Sequence, residues 1–409
     1  MRAELGKSAP IQMLLSGTAS GVIGASHVAA LAGEENVLSY DVGGTSADVA
    51  VIQGGKPAYG TGELVGEFPI YTPTVAVTSI GAGGGSIAHV DNLGVLKVGP
   101  SSAGSSPGPA CYGRGGEQAT ITDAYAVCGW LGRGGLGYGA VQIDVAGAER
   151  AVGAIAGRLG TGLEQTAEAI IQVSISGVFL EVSKLLSRQG ADPRQFALLP
   201  FGGAGPMMAC LLARDLGFQK IIVPPAPGVL AAYGGLIADV RNDFIQTAFV
   251  DLDAASVAPL KAMAESLRDR ALTWLRQEQQ FEGEARLAFS ADMRYRGQSY
   301  EIEVPLDAVW LDNGVLEAIA AAFHGEHERV YEYADSDADI QVINLRLVVS
   351  GTADQPEFEA GDPQRRAAQP SETTEVFYDH AWRAAKVYLR EQLRPGDYFP
   401  GPAIVRQDD

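Results

Sequence analysis

Cysteine and histidine are scarce in this sequence, which holds 3 cysteines and 5 histidines among its 409 residues. Cys111, Cys128 and Cys210 are far apart, and no CxxC pair occurs anywhere in the sequence. Their spacing and odd number therefore indicate neither a zinc site nor a disulfide framework. Unpaired thiols suit a reducing compartment, so we expect the protein to be cytoplasmic.

Basic residues are also few, because 30 Lys and Arg face 49 Asp and Glu and leave a net charge of −19. A surface this acidic repels nucleic acid and anionic lipid, so we expect neither nucleic acid nor a membrane as a partner. A nucleotide remains compatible with this charge. Glycine turns hold phosphate through backbone N–H groups, and Mg²⁺ supplies the positive charge.

Long apolar runs are missing as well, since no uninterrupted run reaches the roughly 18 residues of a membrane span. The apolar stretch at 11–33 ends like a signal peptide, but serine, threonine, glycine and histidine interrupt it. We therefore interpret the region as a strand at 10–15, a Ser-Gly turn and a small-residue helix through about Leu31.

Glycine, by contrast, is abundant at 51 residues, and 46% of the chain is hydrophobic. This composition is typical of a soluble globular protein with many tight turns, and the length allows two or three domains. The local composition becomes richer in charged residues near residue 250, and a polar, proline-containing stretch begins near 353. We predict a lobe at 1–250, an α+β domain at 251–355, and a linker with a small β segment at 356–409.

The lobe is predicted to mix strands and helices. Its strands are predicted at 37–42, 48–53, 73–80 and 196–201, and its helices at 163–189 and 207–216. Thr122 is expected to cap a further helix that reaches about Leu131. The stretch 99–116 is so rich in glycine, proline and serine that no regular element is expected there, and long loops of this kind are often functional.

The strongest motif is the run Tyr-Asp-Val-Gly-Gly-Thr-Ser-Ala-Asp at 40–48, with a predicted strand on each side. Gly43 and Gly44 let backbone amides approach a phosphate closely, and Thr45 adds a hydroxyl donor. Asp41 is placed to hold Mg²⁺ through water or to orient a nucleophile, so Asp41 and Thr45 are the candidate catalytic residues. For so short a motif, the alternative is an ordinary hairpin turn with a solvated aspartate.

A second glycine turn, Phe-Gly-Gly-Ala-Gly-Pro at 201–206, lies between a buried strand and a helix. Such a turn can lie flat against an adenine and ribose, although any α/β protein contains similar turns. The order of the two turns, about 160 residues apart, is that of the second half of actin-like ATPases, which favours a nucleotide site. Its binding residues are predicted to be Gly43, Gly44, Thr45, Ser46, Asp48, Gly83, Gly84, Gly202, Gly203, Ala204 and Gly205.

Five runs together resemble one protein family. They are TSIGAGGGSIAHVD (78–91), VGPSSAGSSPGPACYGRGG (98–116), TITDA (120–124), PFGGAGP (200–206) and VPPAPGVLAAYGGLIADVRNDF (223–244). The chain is similar over nearly its whole length to the A subunit of hydantoinases and to the matching half of 5-oxoprolinases. It is also similar to the acetone carboxylase β subunit.

This resemblance implies a fold and a chemistry. The implied fold is α/β, the second lobe of an actin-like (sugar kinase/chaperone superfamily) ATPase with an α+β C-terminal domain. The implied cofactors are ATP and Mg²⁺, and the implied substrate is a small cyclic amide of the hydantoin or 5-oxoproline type. Amide resonance makes the ring carbon a poor electrophile, so ATP phosphorylates the carbonyl oxygen before water opens the ring. A hydantoinase B-type subunit is the implied partner.

The sequence departs from the family pattern at three places. The family implies a preceding lobe with its own DxGGTxxD turn, whereas one such turn occurs here, at 41–48. We therefore expect an N-terminally truncated chain that is inactive without the missing N-terminal lobe. Met208 stands where the family usually has a histidine, and Thr18 stands where it usually has a proline.

Several isolated polar residues allow a structural or a functional interpretation. We interpret Cys111 as a packed thiol and His89 as structural. His324 and His327 are three residues apart, which suits a metal, but we favour an acidic helix face. Asp91 and Asp123 follow glycine loops and are candidate Mg²⁺ or substrate groups.

Two other functions remain open at the level of sequence. One is a non-catalytic assembly or scaffold module of such a complex, and the other is an ATP-dependent carboxylase subunit. A sugar kinase is disfavoured by the 98–116 loop. The sequence leaves the ring or ketone substrate and the stoichiometry with a partner undetermined.

Overall fold

The computed structural model describes residues 6–7, 13, 15–60, 63–65, 68–70, 74–132, 135–137, 139–353, 356 and 364–408. For 59, 60, 63–65, 68–70 and 74 it describes the backbone alone. The strand predicted at 10–15 lies outside these residues apart from Met13 and Leu15, and neither of those two is in a strand.

The chain divides into two compact units. The large unit comprises Leu15–Leu236 and Glu357–Asp409, and the small unit comprises Met1–Leu14 and Ile237–Pro356. Residues 357–409, predicted as a linker and separate β segment, are thus grouped with the large unit. The segment Ile237–Pro356 of the small unit lies in sequence between the two parts of the large one.

The large unit contains a mixed sheet with helices around it. Its helices are α1 Ser16–Leu31, α2 Ile121–Val127, α3 Val145–Leu159, α4 Leu163–Arg188, α5 Gly205–Leu216 and α6 Leu230–Ile237, the last of which reaches the boundary of the unit. Its strands are β1 Val37–Val42, β2 Ala47–Gln53, β3 Lys56–Pro57, β4 Tyr59–Gly60, β5 Glu63–Val65, β6 Phe68–Ile70, β7 Thr74–Val75, β8 Thr78–Ile80, β9 Ser86–Val90, β10 Leu96–Ser102, β11 Gly135–Leu136, β12 Val141–Gln142, β13 Ala197–Phe201 and β14 Lys220–Ile221. This content confirms the α/β part of the predicted fold class, whereas the actin-like lobe stays a prediction.

The principal sheet has the strand order β14-β13-β1-β2-β3, with β8 also pairing with β2. β1 runs parallel to β13 and antiparallel to β2, so that Asp41 lies beside Phe201 on one side and Asp48 on the other. Because β1 and β13 are parallel neighbours, the turns that follow them emerge at the same edge of the sheet.

The sheet is covered by helices on both faces. On one face, Leu38, Tyr40 and Val42 of β1 belong to a large core with buried residues of α2, α3, α4 and α5. On the other face, Val37 and strand residues of β13 pack with α1. The alternation along β1 follows from the two-residue period of a strand, and the burial of every β1 residue except the half-buried Asp41 fits a strand covered on both sides.

Helix α4 is the longest helix of the large unit, with 26 residues. By length and composition alone it would suffice to cross a membrane, although the sequence contains no uninterrupted apolar run of that length. Its residues Ile170, Ile171, Ile175, Val178 and Val182 are fully buried in the large core. The apolar face of α4 is therefore explained by packing inside this unit.

The small unit is an antiparallel sheet with helices packed on it. Its elements are β15 Val240–Asp251, α7 Val257–Thr273, a π-helical turn Trp274–Glu278, β16 Ala285–Tyr295, β17 Ile302–Leu306, α8 Ala308–Asn313, α9 Leu316–Tyr331 and β18 Ile340–Gly351. The strand order is β15-β18-β16-β17, and alternate residues of β16 and β18 form its core with α7 and α9. The small unit thus combines an antiparallel sheet with helices, which is the arrangement expected of the α+β domain predicted at 251–355.

The C-terminal segment supplies the last strands of the large unit. They are β19 Arg366–Ala367, β20 Glu372–Tyr378, β21 Ala381–Leu389, β22 Asp397–Tyr398 and β23 Ala403–Arg406. Phe377 of β20 is 4% exposed and belongs to the large core. Its N–H donates to the Cys128 carbonyl at 2.9 Å, and the Trp130 indole N–H donates to the Phe377 carbonyl at 3.0 Å.

Three details differ from the sequence predictions. The strand predicted at 73–80 is broken into β7 and β8, and the loop predicted at 99–116 begins with the end of β10 and contains a 3₁₀ turn at Ala110–Tyr112. Helix α2 is shorter than predicted and is capped by Thr120 rather than Thr122. Thr120 competes better for this role because Asp123, three residues later, completes a capping box with it.

Candidate functional site

The turn at 43–46 connects β1 to β2 and projects from the edge where β1 ends. The Gly43 N–H donates to the Ser46 carbonyl at 3.0 Å and closes the turn. Gly43, Gly44 and Thr45 are exposed. The N–H groups of Gly44 and Thr45 donate to no acceptor in the described part of the chain, which leaves two outward donors for a bound anion.

The second glycine turn, at 202–205, lies directly against the first one. The Ala204 N–H donates to the Val42 carbonyl at 3.0 Å. Gly202 has a φ of +73°, and a Cβ there would stand 2.3 Å from Oδ1 of Asp41. Glycine is therefore required at 202 both by its left-handed conformation and by contact with the carboxylate.

Helix α5 begins at Gly205 with no side-chain cap. Gly203, just before it, is exposed, and its N–H has no acceptor among the described residues. The first N–H groups of a helix lack partners within the helix and carry partial positive charge. The edge of the sheet thus presents donors from both turns.

The glycine loop at 81–85 lies beneath the 43–46 turn. Gly84 and Gly85 donate their N–H groups to the carbonyls of Gly43 and Gly44 at 3.0 and 2.7 Å. A Cβ at Gly83 would stand 2.5 Å from the Thr45 nitrogen. Gly83 and Gly84 are buried, and their N–H groups bond within the protein. The structure therefore places these two predicted nucleotide-binding residues under the turn, as its support.

Asp41 stands between the two turns and is partly buried. Burial, together with the charge of Asp48, raises the pKa of Asp41 to about 6. Burial disfavours the ionised form, and a second carboxylate disfavours it further. A carboxylate with these neighbours gains from a nearby cation, so Asp41 is suited to a Mg²⁺ ion.

Asp48 is held by two hydroxyl groups that the sequence motif does not contain. The Ser79 hydroxyl of β8 donates to Oδ1 of Asp48, and the Thr18 hydroxyl of α1 donates to Oδ2 at 3.3 Å. These two hydrogen bonds fix the position of the Asp48 carboxyl group beside Asp41.

The loop at 99–116 contacts the site through Ser102. The Ser102 hydroxyl donates to the Gly44 carbonyl at 3.3 Å and accepts the Gly104 N–H at 3.2 Å. The Thr122 hydroxyl donates to the Gly84 carbonyl at 2.8 Å and ties α2 to the glycine loop. Ser102, Ser79 and Thr18 were not identified from the sequence, since each depends on a contact between segments far apart in the chain.

Asp123 is fully buried and accepts four hydrogen bonds. Its donors are the N–H groups of Ala110, Cys111 and Thr120 and the Thr120 hydroxyl, at 2.7–3.2 Å. These contacts fix the end of the 99–116 loop to α2. Asp123 therefore performs a structural task within the protein, and its candidate role toward Mg²⁺ finds no support in this geometry.

Cys111, His89 and Asp91 are also away from the glycine turns. Burial and the neighbouring Asp123 raise the pKa of the Cys111 thiol far above its usual value, which agrees with a packed, unreactive thiol. His89 is exposed on β9. The Oδ1 atom of Asp91 accepts the N–H groups of Leu93 and Val95, each at 2.9 Å, and so closes a surface turn.

The two histidines of α9 lie in an aromatic cluster of the small unit. The His327 ring is 1% exposed, and its nitrogens contact the Tyr333 carbonyl and the Gln298 side chain at 2.8 and 3.1 Å. His324 bonds to the Tyr295 hydroxyl at 2.8 Å. No group of three or more potential metal ligands occurs among the described residues. The histidines are packed residues of this cluster. The prediction that they lie on an acidic helix face is wrong for His327, because its side chain is buried.

Met208 occupies the core beneath the second turn. It is fully buried, and its sulfur lies 3.5 Å from the Tyr40 hydroxyl, which donates to it. A thioether is a weak acceptor. At this position the chain therefore has a packing residue where a histidine would introduce a titratable group.

Two family sequence profiles together match nearly the whole chain. The hydantoinase/oxoprolinase profile matches residues 1–244, and the hydantoinase/oxoprolinase C-terminal domain profile matches residues 248–409. The second match spans most of the small unit together with the C-terminal strands of the large unit.

Individual relatives agree with these profiles. Caprolactamase subunit alpha from Pseudomonas jessenii is 32% identical over 97% of this chain and 58% of its own length. The nucleotide-free structure of an acetone carboxylase, which carries out ATP-dependent acetone carboxylation, superposes with a TM-score of 0.82 at 27% identity, covering 95% of this chain and 57% of that one. The crystal structure of the ATP-dependent caprolactamase from Pseudomonas jessenii gives a TM-score of 0.72 at 32% identity, covering 91% and 55%.

The chain spans just over half the length of each of these relatives. The profiles nevertheless account for both units, and the 43–46 and 202–205 turns lie inside the first match. On these grounds the chain is a member of the hydantoinase/oxoprolinase family.

Proposed function

We propose that the large unit is the nucleotide-binding lobe of an ATP-dependent cyclic amide hydrolase of the cytoplasm. The observation that carries the proposal is the meeting of two glycine turns around Asp41. One turn offers the free N–H groups of Gly44 and Thr45, and the other offers that of Gly203 at the start of α5. The lobe would be the second half of an actin-like fold.

In this proposal, each of the two turns binds a different part of the nucleotide. The turn of Gly43, Gly44, Thr45 and Ser46 binds the phosphates through N–H groups and the Thr45 hydroxyl. The turn of Gly202, Gly203, Ala204 and Gly205 lies against the nucleoside. Donors without internal partners and an uncapped helix start fit a phosphate chain, so the residues present are compatible with ATP.

Asp41 would hold Mg²⁺, directly or through water, while the hydroxyl groups of Ser79 and Thr18 hold the Asp48 side chain in place beside it. When bound, ATP would supply a phosphoryl group to the amide oxygen, which would remove the amide resonance and make the ring carbon a better electrophile for water. Asp41 and Thr45 orient the metal and the phosphate for this transfer. Gly83, Gly84 and Ser102 act by holding the turn in place, not by touching the nucleotide.

The relatives support the proposal at two levels. Two of the similar structures are described as ATP-dependent, and one of them is a caprolactamase, which acts on a cyclic amide. Caprolactamase subunit alpha is named as one subunit of its enzyme. We therefore propose that ring opening requires a B-type partner subunit and a further lobe that completes the ATP site.

The alternative is a subunit of an ATP-dependent carboxylase. The similarity to acetone carboxylase, with a TM-score of 0.82, favours it. Both functions use ATP to activate a carbonyl oxygen, so the nucleotide turns serve either one. A reconstituted complex offered a cyclic amide or a ketone with bicarbonate would distinguish the two by its product.

The first test is calorimetry of Mg²⁺–ATP binding to the purified chain. Asp41→Ala and Gly203→Val are the site variants, and Gly157→Leu on α3, where an added side chain meets open space, is the control. Saturable binding that the site variants lose and the control keeps is expected. A folded wild-type chain that binds no Mg²⁺–ATP, alone or with a reconstituted partner lobe, would contradict the proposal.

A further inference from the structure

A cavity of about 380 Å³ lies beside the nucleotide turns, between β8, β10 and α4. Its walls include Ser79 and Ile80 of β8, Val98 of β10, and Val173 and Gly177 of α4. Ile80 pairs across the sheet with Ala47, the residue that follows the 43–46 turn. The cavity therefore opens at the same edge of the sheet as the proposed phosphate site.

The cavity is linked to the catalytic carboxylates through Ser79. This residue lines the cavity, and its hydroxyl donates to Asp48, the cross-strand partner of Asp41. A ligand in the cavity would lie on the far side of Ser79 from these carboxylates. The cavity and the proposed phosphate site are therefore neighbours in this structure.

One buried polar group in the cavity wall has no partner. Ser174 of α4 is 4% exposed, and its hydroxyl bonds to nothing among the described residues. Buried hydroxyl groups nearly always find a hydrogen-bond partner. Rotation about the Cα–Cβ bond can turn this hydroxyl toward a ligand without breaking a bond within the protein.

The charge of the cavity restricts its ligand. Glu181 is the one charged residue in the wall, and its carboxylate already pairs with Lys184 at 2.7 Å. The remaining wall residues are apolar or small, apart from Ser79 and Ser174. No Lys, Arg or His belongs to the described wall of the cavity. The carboxylate of a ligand would therefore have no cationic partner in the wall, whereas a neutral ring with one amide would pair with a serine hydroxyl.

We propose that this cavity is the substrate pocket and that it selects uncharged cyclic amides over ring amides that carry a carboxylate. The inference rests on the proposed function, because it assigns the substrate class of the same site. A five-membered lactam fits easily within about 380 Å³. Ser174 bonds to its amide group, and Ile80, Val98 and Val173 contact the ring carbons.

Two matched probes test the selectivity. 2-Pyrrolidone and 5-oxoproline share one lactam ring and differ by a carboxylate. Titration of the full chain, followed by saturation-transfer NMR, should show binding of 2-pyrrolidone and at least about fivefold weaker binding of 5-oxoproline. Equal binding of the two probes would overturn the selectivity.

Three variants test the location. A side chain at Gly177 meets no atom within 4 Å, so Gly177→Leu fills the cavity without a clash and should abolish lactam binding. Gly157→Leu, the same change on α3, should leave binding unaltered. Ser174→Ala should weaken binding about threefold to tenfold, the effect of one hydrogen bond.

The outcomes separate this inference from the proposed function. Mg²⁺–ATP binding is measured on the same samples. Two results would show that the pocket assignment is wrong while the nucleotide site stands. In both, ATP binds; in the first, 2-pyrrolidone does not bind the wild-type chain, and in the second, 2-pyrrolidone binds Gly177→Leu as tightly as wild type. If lactam binding follows the variants as expected while ATP does not bind, the pocket stands and the nucleotide proposal fails.

Discussion

Asp41 and Asp48 face each other as direct partners across the antiparallel pair of β1 and β2. Asp48 has two hydroxyl donors, from Thr18 and Ser79, whereas Asp41 is packed against the Gly202 turn. The two carboxylates thus have different surroundings, and the pKa of Asp41 is raised to about 6. A carboxyl group whose pKa is raised by burial and by a neighbouring charge is typical of functional sites.

We expect Asp41 to give Mg²⁺–ATP binding a pH dependence. The metal requires the ionised carboxylate, so affinity should rise as pH increases through about 6 and level off above it. Asp41→Asn should bind weakly at every pH. Asp48→Asn removes the neighbouring charge and should shift the profile to lower pH. Calorimetry between pH 5 and 8 checks this, and a wild-type profile with no inflection would refute it.

The Asp41 carboxyl group should also affect folding stability. The unfolding free energy should fall as pH rises, whereas the affinity for Mg²⁺–ATP should increase. The pKa of this group is raised from 3.8 to about 6 in the folded protein, so the folded state binds the proton more tightly. The stabilisation is present at low pH and is lost as pH rises from about 4 to about 6. Urea unfolding of wild type and Asp41→Asn should show a difference in unfolding free energy that grows in favour of the variant over this range.

A side chain at position 83 should disturb folding, whereas a side chain at position 44 should disturb only nucleotide binding. A Cβ at Gly83 would overlap the Thr45 nitrogen, whereas a Cβ at Gly44 meets no atom within 4 Å. Gly83→Ala should displace the turn and lower the unfolding free energy by about 2 kcal/mol. Gly44→Ala should fold like wild type and lose ATP affinity. Equal stability of the two variants in urea would contradict this distinction.

Asp123 should contribute strongly to stability because it has four internal donors. In Asp123→Asn one oxygen becomes an NH₂ group that faces N–H and O–H donors, so we expect a loss of about 3 kcal/mol. Asp91→Asn is the control, because both of its hydrogen bonds go to one oxygen, which asparagine keeps. Urea denaturation of both variants measures the difference, and similar losses would disprove the assignment.

Tyr125 should tolerate loss of its hydroxyl. The side chain is 1% exposed, its hydroxyl has no partner among the described residues, and its ring stacks on Trp130 at 5.5 Å. Tyr125→Phe keeps the stacking and removes an unsatisfied polar atom, so stability should be unchanged or higher by about 1 kcal/mol. A clear loss in thermal unfolding would reveal a partner for the hydroxyl.

Glu168 should hold the hairpin between β20 and β21. Its buried carboxylate accepts the Asp379 N–H at 2.6 Å and pairs with the His380 ring at 2.9 Å. Asp379 and His380 both have positive φ, which is unfavourable for these residues without support. Glu168→Gln should speed amide exchange at the hairpin, whereas His380→Ala should change stability little because that ring is exposed. Unchanged exchange in Glu168→Gln would exclude this role.

Much of the fold follows from local sequence signals. The Ser16–Leu31 helix and the Val37–Val42 strand match their predictions because small residues and apolar periodicity specify them locally. The break between β7 and β8 was missed, since alternation along 73–80 resembles one strand until its partners are known. The Thr122 prediction failed because two threonines compete for one helix start, and the contact of Asp123 decides between them.

The site was predictable in outline but not in its support. The two glycine turns could be recognised, and their meeting follows from parallel β1 and β13. Gly83 and Gly84, however, look the same in sequence whether a glycine approaches a phosphate or another backbone. Thr18 and Ser79 lie 30 and 31 residues from Asp48, so their hydroxyl bonds depend on the β2–β8 pairing and the α1 packing, which no local pattern encodes.

The contact of Phe377 with Cys128 and Trp130 has a consequence for how the protein is made. Synthesis runs from the N-terminal to the C-terminal end, so Leu15–Leu236 is made before residues 237–356, and β20 follows both. Until β20 has been synthesised, the core residues beside α2 lack their contact with Phe377. The large unit can therefore complete its core only after the intervening segment 237–356 has been made.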